Sequence, residues 1–536
     1  MRAHDVLQQN VRACQSVAQV IESTLGPAGA HKLLVTAAGD DRDAHLKLVS
    51  CTNDGASILR LLSLEHAAAR LMVELASAQD ASLGDGTTSV VLLAASLLQH
   101  ALVLVSRDGV AVRNVVAAYR IACECVVEFA SSHAFAAPDD APASRRAWLQ
   151  SLAATCLSSK LNPLLQQQST PTRATLPAEE RDGSGVVQHF ASTTVSAVLY
   201  ALGTAPEDGN QASSTTPLRR RVVIEKHLGV LEDTRAVCGI VLPAHQALAP
   251  RSLDSVPVLL VSALPQICGV TQRQSRVWAS EQRVTSLEQA EALATSELGG
   301  ITAACQSIID TGCKVLLAKA LLHPCAIKYV ALSLVRSFVH RSYSRYSRYS
   351  ILTQAGVSCL HLLSNEQLEM ASRVCRAPIL SSLEPPIPAC GVGSLAPLPL
   401  AEEVVWLVTG PHGGGSTVIV RAHSQAAADE CEQSLHDALC IVSRCVAPSS
   451  RFVGGAGALY VAGARHLRCQ ARNATPALVA PLLAFADALE SIPLTLARNG
   501  ALFESERETR ECRAFLWILM LSVWQLGWRH TPYWRH

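Results

Sequence analysis

The chain has 536 residues, 49% of them hydrophobic, which is enough for two to four domains with separate cores. With 45 basic against 44 acidic residues the net charge is +1, which excludes the bulk basic footprint of a nucleic-acid binder. Charged residues make up only 17% and mean hydropathy is +0.23, an apolar balance that implies surface buried against partners.

The 18 cysteines form no CxxC pair; Cys123 and Cys125 are the nearest couple and lie in an apolar helical stretch. They read as buried thiols, and with no signal segment opening the chain the expected compartment is a reducing cytosol. The apolar runs Val90 to Val105 and Ala514 to Trp528 fall short of the roughly 18–20 residues a membrane span needs. The first, interrupted by Gln99 and His100, reads as a core helix.

In chain order, apolar residues at helical spacing predict helices over 5–24, 65–82, 88–106 and 111–133. Gly-containing turns lie beside three of the apolar helical segments: Thr24 to Gly29 with Lys32 following, Thr52 to Gly55, and Gly84-Asp85-Gly86-Thr87-Thr88-Ser89. The last has two glycines that let backbone approach a ligand, three hydroxyl residues and a following helix, the elements of a phosphate cradle. Asp85 would repel a bare phosphate, so its presence there points to a bridging Mg²⁺. Read alone, such a turn is ordinarily solvated; three within one short stretch shift the balance to a nucleotide site.

Between Val35 and Cys51 a hairpin is expected. Asn162 to Gln188 and Gly203 to Thr216 are polar and aperiodic and read as flexible insertions, with Phe190 to Leu202 helical between them. From Val222 the pattern becomes α/β, with strand-like runs at Val222 to Ile224, Ala236 to Leu242 and Val256 to Ser262. A helix is expected over Ser286 to Asp310, and then a strand, Lys314 to Ala318. The Arg-Tyr-Ser repeat of residues 340–350 reads as a surface loop before a nucleic-acid contact. Gly413 to Gly415 has no lysine after it and reads as a hairpin turn before the strand Val418 to Val420. Ala426 to Ala447 is helical by spacing and carries Ser434 to Leu439.

The order of these motifs resembles the nucleotide site of the group II chaperonins, the family of the thermosome and the cytosolic ring complex CCT. The longer matches, Asn10 to Val35 and Ala76 to Ala95, are most similar to the family's eta-type branch. The resemblance implies a multidomain α+β fold with a helical equatorial domain (1–150 and 424–536), a small intermediate domain (151–229 and 369–423) and an α/β apical substrate-binding domain (230–368). It implies ATP and Mg²⁺ as cofactors, other chaperonin subunits in a ring and unfolded client proteins as partners, and neither nucleic acid nor membrane.

Carried over residue by residue, the resemblance makes Asp54 and Asp437 the carboxylates around the attacking water and Asp85 the metal ligand. It places Leu25, Gly26, Pro27, Asn53, Gly55, Gly84, Gly86, Thr87, Thr88, Ser89, Lys160, Gly455 and Gly457 around the nucleotide, with Lys160 sensing the terminal phosphate. Ala456 stands where the family has Gly and is accommodated if its φ is negative; Tyr460 stands where the family usually has Glu. The family's lid falls on Gln266 to Val284, which lacks lid-like features, and the resemblance is expected to end near Phe503, leaving residues 504–536 as a divergent, C-terminally truncated tail. The alternative to an ATP-driven folding subunit is a chaperonin-like binding or assembly factor without turnover. A monomeric phosphotransferase lacks a substrate motif.

Overall fold

A computed structural model of the chain describes residues 3–36, 48–137, 142–167, 184–203, 221–243, 252–262, 286–320, 322, 352, 355–381, 390–400, 403–411, 413–447 and 449–500. The chain divides into two compact units, residues 1–195 with 422–536, and residues 196–421. The expected lid, the Arg-Tyr-Ser repeat and the tail lie outside the described residues, as does the run from Ala514 to Trp528.

The first unit is helical. The four early helices form as Ala3–Glu22, Ala67–Leu83, Thr87–Ser106 and Val112–Ser132, with a short Gly55–Arg60 helix between the first two. The first buries Val11, Cys14, Val17, Ala18 and Ile21, a stripe at helical spacing. Of these, Cys14, Val17, Ala18 and Ile21 pack with Ile58, Leu59, Met72, Val91 and, from far along the chain, Ile492. A second core joins Ala118 and Ala122 to Ala464, Leu467, Phe485 and Leu489. The late helices Ala458–Ala471, Pro476–Leu489 and Ser491–Asn499 therefore complete cores begun by the early ones.

The expected shortness of the run after Ser89 is corrected. The helix from Thr87 to Ser106 reaches 20 residues, and it and Pro476–Asn499 are long and apolar enough to cross a membrane by length and composition. Its buried Val91, Leu92 and Ala95 belong to the first core, where it packs against the opening helix. Strands Lys32–Thr36 and Leu48–Thr52 pair antiparallel with Lys32 opposite Thr52, the base of the expected hairpin. The hairpin tip, residues 37–47, lies outside the described residues. The first insertion is narrower than its composition indicates, because the helix Pro142–Gln167 continues through Asn162 and the next helix, Ser184–Leu202, has already begun by Gln188.

The second unit contains a mixed seven-stranded sheet. Its path runs 240–243, 403–409, 391–400, 253–261, 315–318, 358–360, with 379–380 also paired to 253–261. Strands Leu253–Val261, Val315–Ala318 and Ser358–Leu360 are parallel, and the helix Leu287–Asp310 makes the crossover between the first two. Alternate residues bury opposite faces: Leu259, Val261, Leu316 and Ala318 pack with Ile301, Cys305 and Ile308, while Val258, Leu260, Val315 and Leu317 pack with Met370 and Val374. Covered on both sides, such strands are continuously apolar in sequence.

Two turn readings are corrected. The single strand expected over Ala236 to Leu242 is two, Arg235–Cys238 and Ile240–Pro243, which enter different sheets. Gly239 breaks it at φ +106, where a Cβ would lie 2.3 Å from the Val408 carbonyl oxygen. The Gly413 to Gly415 segment is not a hairpin turn, because the strands it joins, Glu403–Thr409 and Ser416–Ala422, also belong to different sheets. Its small residues answer crowding: a Cβ on Gly415 would lie 2.5 Å from Met370 Sδ.

Candidate functional site

The hairpin register delivers Thr52 to the end of its strand, and the chain then turns into the helix Gly55–Arg60. Asp54 caps that helix: its Oδ2 accepts the Ser57 amide at 2.8 Å, and its own amide donates to Thr52 Oγ1 at 3.1 Å. The other carboxylate oxygen accepts from Thr87 Oγ1 at 3.4 Å, so a buried aspartate ties two of the Gly-containing turns together. The approach is close enough that a Cβ on Gly55 would lie 2.5 Å from Thr88 Oγ1.

Gly84 ends the helix Ala67–Leu83 in the left-handed region, φ +75. Its missing side chain admits Cys440, whose Sγ would be 2.3 Å from a Cβ there, and so lets that helix end against the helix Gln425–Cys445. Gln79 Nε2 donates to the Asp85 carbonyl at 2.9 Å, and Asp85 Oδ1 accepts the Gly86 amide at 2.6 Å. Gly86 is the N-cap of Thr87–Ser106 and offers its first-turn amides no side-chain acceptor. This is where an anion gains from both donors and dipole.

The first turn is held from the far end of the chain. Asn499 Nδ2 donates to the Leu25 and Glu22 carbonyl oxygens at 2.8 and 2.9 Å, and Arg498 pairs with Glu22 at 2.6 Å. Lys160 projects from Pro142–Gln167, which packs along Gln425–Cys445. Its Nζ donates to Asp437 Oδ2 and stands 3.9 Å from Asp54 Oδ1.

Burial works against the Lys160 ammonium, but Asp437 and then Asp54 outweigh it and hold the lysine protonated well above its ordinary range. Burial raises the Asp437 carboxyl, with His436 and Lys160 opposing. His436 is pushed up to about 10 through the Asp437 carboxylate first, with Cys440 helping and burial opposing. Burial, reinforced by Asp85 and Asp437, pushes the Cys156 thiol far up, which marks it as inert.

An open cleft is lined by Thr24, Leu25 and Gly26, by Asn53, Asp54 and Gly55, by Asp85 to Ser89, and by Lys160. All three early turns thus contribute to one cleft. Asp437 does not line the cleft but reaches it through Lys160. Pro27, Gly84, Gly455 and Gly457 are not part of the lining. Ala456 has φ +54, so the condition for accommodating its methyl group, a negative φ, is not met. Sequence reasoning did not single out Thr52 or Gln79 for the hydrogen bonds that fix Asp54 and Asp85; a hydroxyl two residues before the aspartate was the readable signal for the first. The donor set fits a magnesium nucleotide: carboxylates and hydroxyls supply hard oxygen ligands beside uncapped amides.

A helical unit that gathers phosphate-cradle turns from one stretch of sequence and an aspartate-bearing helix from another, together with an α/β unit, defines the chaperonin class. Residues 17–513 match the TCP-1/cpn60 chaperonin family, and the chain belongs to it. The match continues ten residues past Phe503, where the quoted motifs end. Among its relatives is T-complex protein 1 subunit eta of Gallus gallus, 27% identical over 520 residues, covering 95% of this chain and 80% of the relative. T-complex protein 1 subunit alpha of Arabidopsis thaliana is 28% identical, covering 93% of this chain and 81% of the relative. Thermosome subunit beta of Methanothermobacter thermautotrophicus is 26% identical, covering 93% and 80%. The group II, eta-like resemblance agrees with these relatives.

Proposed function

We propose that the chain is an ATP-hydrolysing subunit of a hetero-oligomeric chaperonin ring that binds unfolded proteins in the cytosol. The observation that carries this reading is Lys160 held between Asp54 and Asp437 in the lining of a cleft of Gly and hydroxyl turns. The uncapped amides of Thr87–Ser106 and the hydroxyls of Thr87, Thr88 and Ser89 bind and orient the phosphates. Mg²⁺, held by Asp85, would neutralise phosphate charge when bound. Asp54 and Asp437 hold water in line and take its proton, worth on the order of 10² to 10⁴ in rate, and Lys160 offsets the charge that develops on the terminal phosphate. The helical unit then acts as the equatorial domain, and the α/β unit contains the apical and most of the intermediate segments. Differential binding of ATP to two ring states is what moves the apical segments.

A specific observation favours a second reading, a chaperonin-like binding factor without turnover. Ala456 sits at positive φ in the turn expected to meet the nucleotide's sugar, and neither flanking glycine lines the cleft. Phosphate release with Mg²⁺ separates the two. The first reading expects slow turnover abolished by Asp54→Ala or Asp437→Ala; ATP binding with no release, indifferent to both changes, supports the second. Light scattering tests the ring, against a 57.0 kDa monomer.

A further inference from the structure

We propose that His436 is a positioning residue for Asp437, closing a ring of alternating charges that sets both carboxylates of the proposed reaction. The ring starts at the helix Gly55–Arg60, which Asp54 caps at one end and Arg60 closes at the other. Arg60 pairs with Asp80 at 2.5 Å. Asp80, His436 and Asp437 then bring one polar side-chain atom each to within 4.8 Å of the others, with His436 Nδ1 3.6 Å from Asp437 Oδ1. Asp437 Oδ2 takes the Lys160 ammonium, and Lys160 Nζ returns to Asp54 Oδ1 at 3.9 Å. Six side chains from four helices, counting Asp54 as the cap of the first, thus alternate in sign around a closed path.

The inference rests on the reading of Asp54 and Asp437 as the carboxylates that hold the attacking water. Asp437 is 2% exposed, and burial pushes its carboxyl toward the protonated form, which cannot accept the water's proton. Lys160 and His436 oppose this from its two different oxygens, so the carboxylate stays ionised and its plane is fixed at both ends. The 3.6 Å contact is longer than a hydrogen bond, so what His436 supplies is charge. Asp80 stands beside the imidazole as a second carboxylate and is itself held by Arg60, while Cys440 Sγ lies 4.0 Å from both ring nitrogens and seats the ring. Neither Asp80 nor His436 lines the cleft, so both act on the reaction through Asp437.

The test is steady-state phosphate release by the full-length protein with Mg²⁺ and ATP, with kcat and KM measured separately. His436→Gln should lower kcat by about 10-fold or more and leave KM for ATP where it was, since a group displaced by about 1 Å can cost about 100-fold. His436→Lys, whose cation has room at a side chain 43% exposed, should restore most of the lost kcat; a residue that only packs would not be rescued by charge. If His436→Gln loses its helical circular dichroism, Asp80→Asn decides, because it unties the imidazole from the other side and should lower kcat in the same direction. An unchanged kcat in these variants, a lysine variant as slow as the glutamine one, or a change that falls on KM instead overturns the role. Wild-type protein that binds ATP without releasing phosphate removes the ATPase reading and the catalytic role together, whereas phosphate release indifferent to His436 removes the role alone. The ring itself is read without nucleotide: in urea, His436→Gln and Asp80→Asn should cost less together than the sum of their separate costs, and strict additivity breaks it.

Discussion

Removing the Lys160 ammonium should cost far more than an ordinary surface charge does, and removing Asp437 as well should restore part of the loss. Asp437 is 2% exposed and Lys160 12%. At the 3.9 Å separating Lys160 Nζ from Asp54 Oδ1, attraction at an effective dielectric of about 20 amounts to about 4 kcal/mol, and the direct bond to Asp437 adds to it. These gains offset a desolvation cost of several kcal/mol per ion. Lys160→Met therefore leaves a buried carboxylate whose remaining charged neighbours are His436 and a second carboxylate, and the expected loss is about 3–5 kcal/mol. Asp437→Leu alone should cost a similar amount, less what Asp54 returns to the lysine. The double variant should recover part of the loss, because only Asp54 is then left without the lysine and it keeps its hydrogen bonds from Ser57 and Thr87. Urea unfolding followed by far-UV circular dichroism gives the coupling from the four proteins, provided the denaturant slope is unchanged. Single changes that each cost less than about 1 kcal/mol and simply add in the double variant would show that the ion pair is not held as described.

Gly84→Ala places a methyl group in the left-handed region and against Cys440. The φ term is roughly 1–2 kcal/mol and the overlap roughly 1–3, and Cys440→Ala in the same chain should recover the overlap but not the φ term. Ala456→Gly relieves φ +54, a gain of roughly 1–2 kcal/mol reduced by glycine's extra unfolded freedom of roughly 0.5–1, so a small rise in melting temperature is expected. His436 binds its proton more tightly in the folded chain, so its stabilisation is fully present below its ordinary pKa of 6.5 and is lost as pH rises through about 10. The urea midpoint should fall across that window and His436→Gln should flatten the fall.

The helical half was legible because its signal is periodic: Val11, Cys14, Val17, Ala18 and Ile21 mark one face whatever surrounds them. Asp54 was legible for a local reason too, since a cap and its glycine are neighbours in sequence. Asp437 was not, because a lone aspartate on a helix is ordinarily solvated; only family resemblance singled it out, and only the packing of Pro142–Gln167 against its helix sets Lys160 beside it. Sheet membership was the least legible feature. Val237 and Val241 are both β-formers in one apolar run, and nothing in their side chains records that Gly239 sends them to different sheets. Likewise the sign of φ at Ala456 is set by the turn around it, not by alanine, which prefers the opposite sign.

The same long-range closures that build the core also tune the site. Asn499 fixes the carbonyl of Leu25, Ile492 packs into the core under Ile21, and Cys440 fills the space left by Gly84. Each contact belongs to a residue from 425–500 and acts on a turn or helix from the first hundred residues. The cleft therefore cannot reach its geometry before the late helices dock, and a change that loosens their packing shifts the three turns without touching any of them. Site geometry and stability of the helical unit are in this sense one quantity, and a core substitution such as Ile492→Ala reaches the nucleotide turns through the chain's packing.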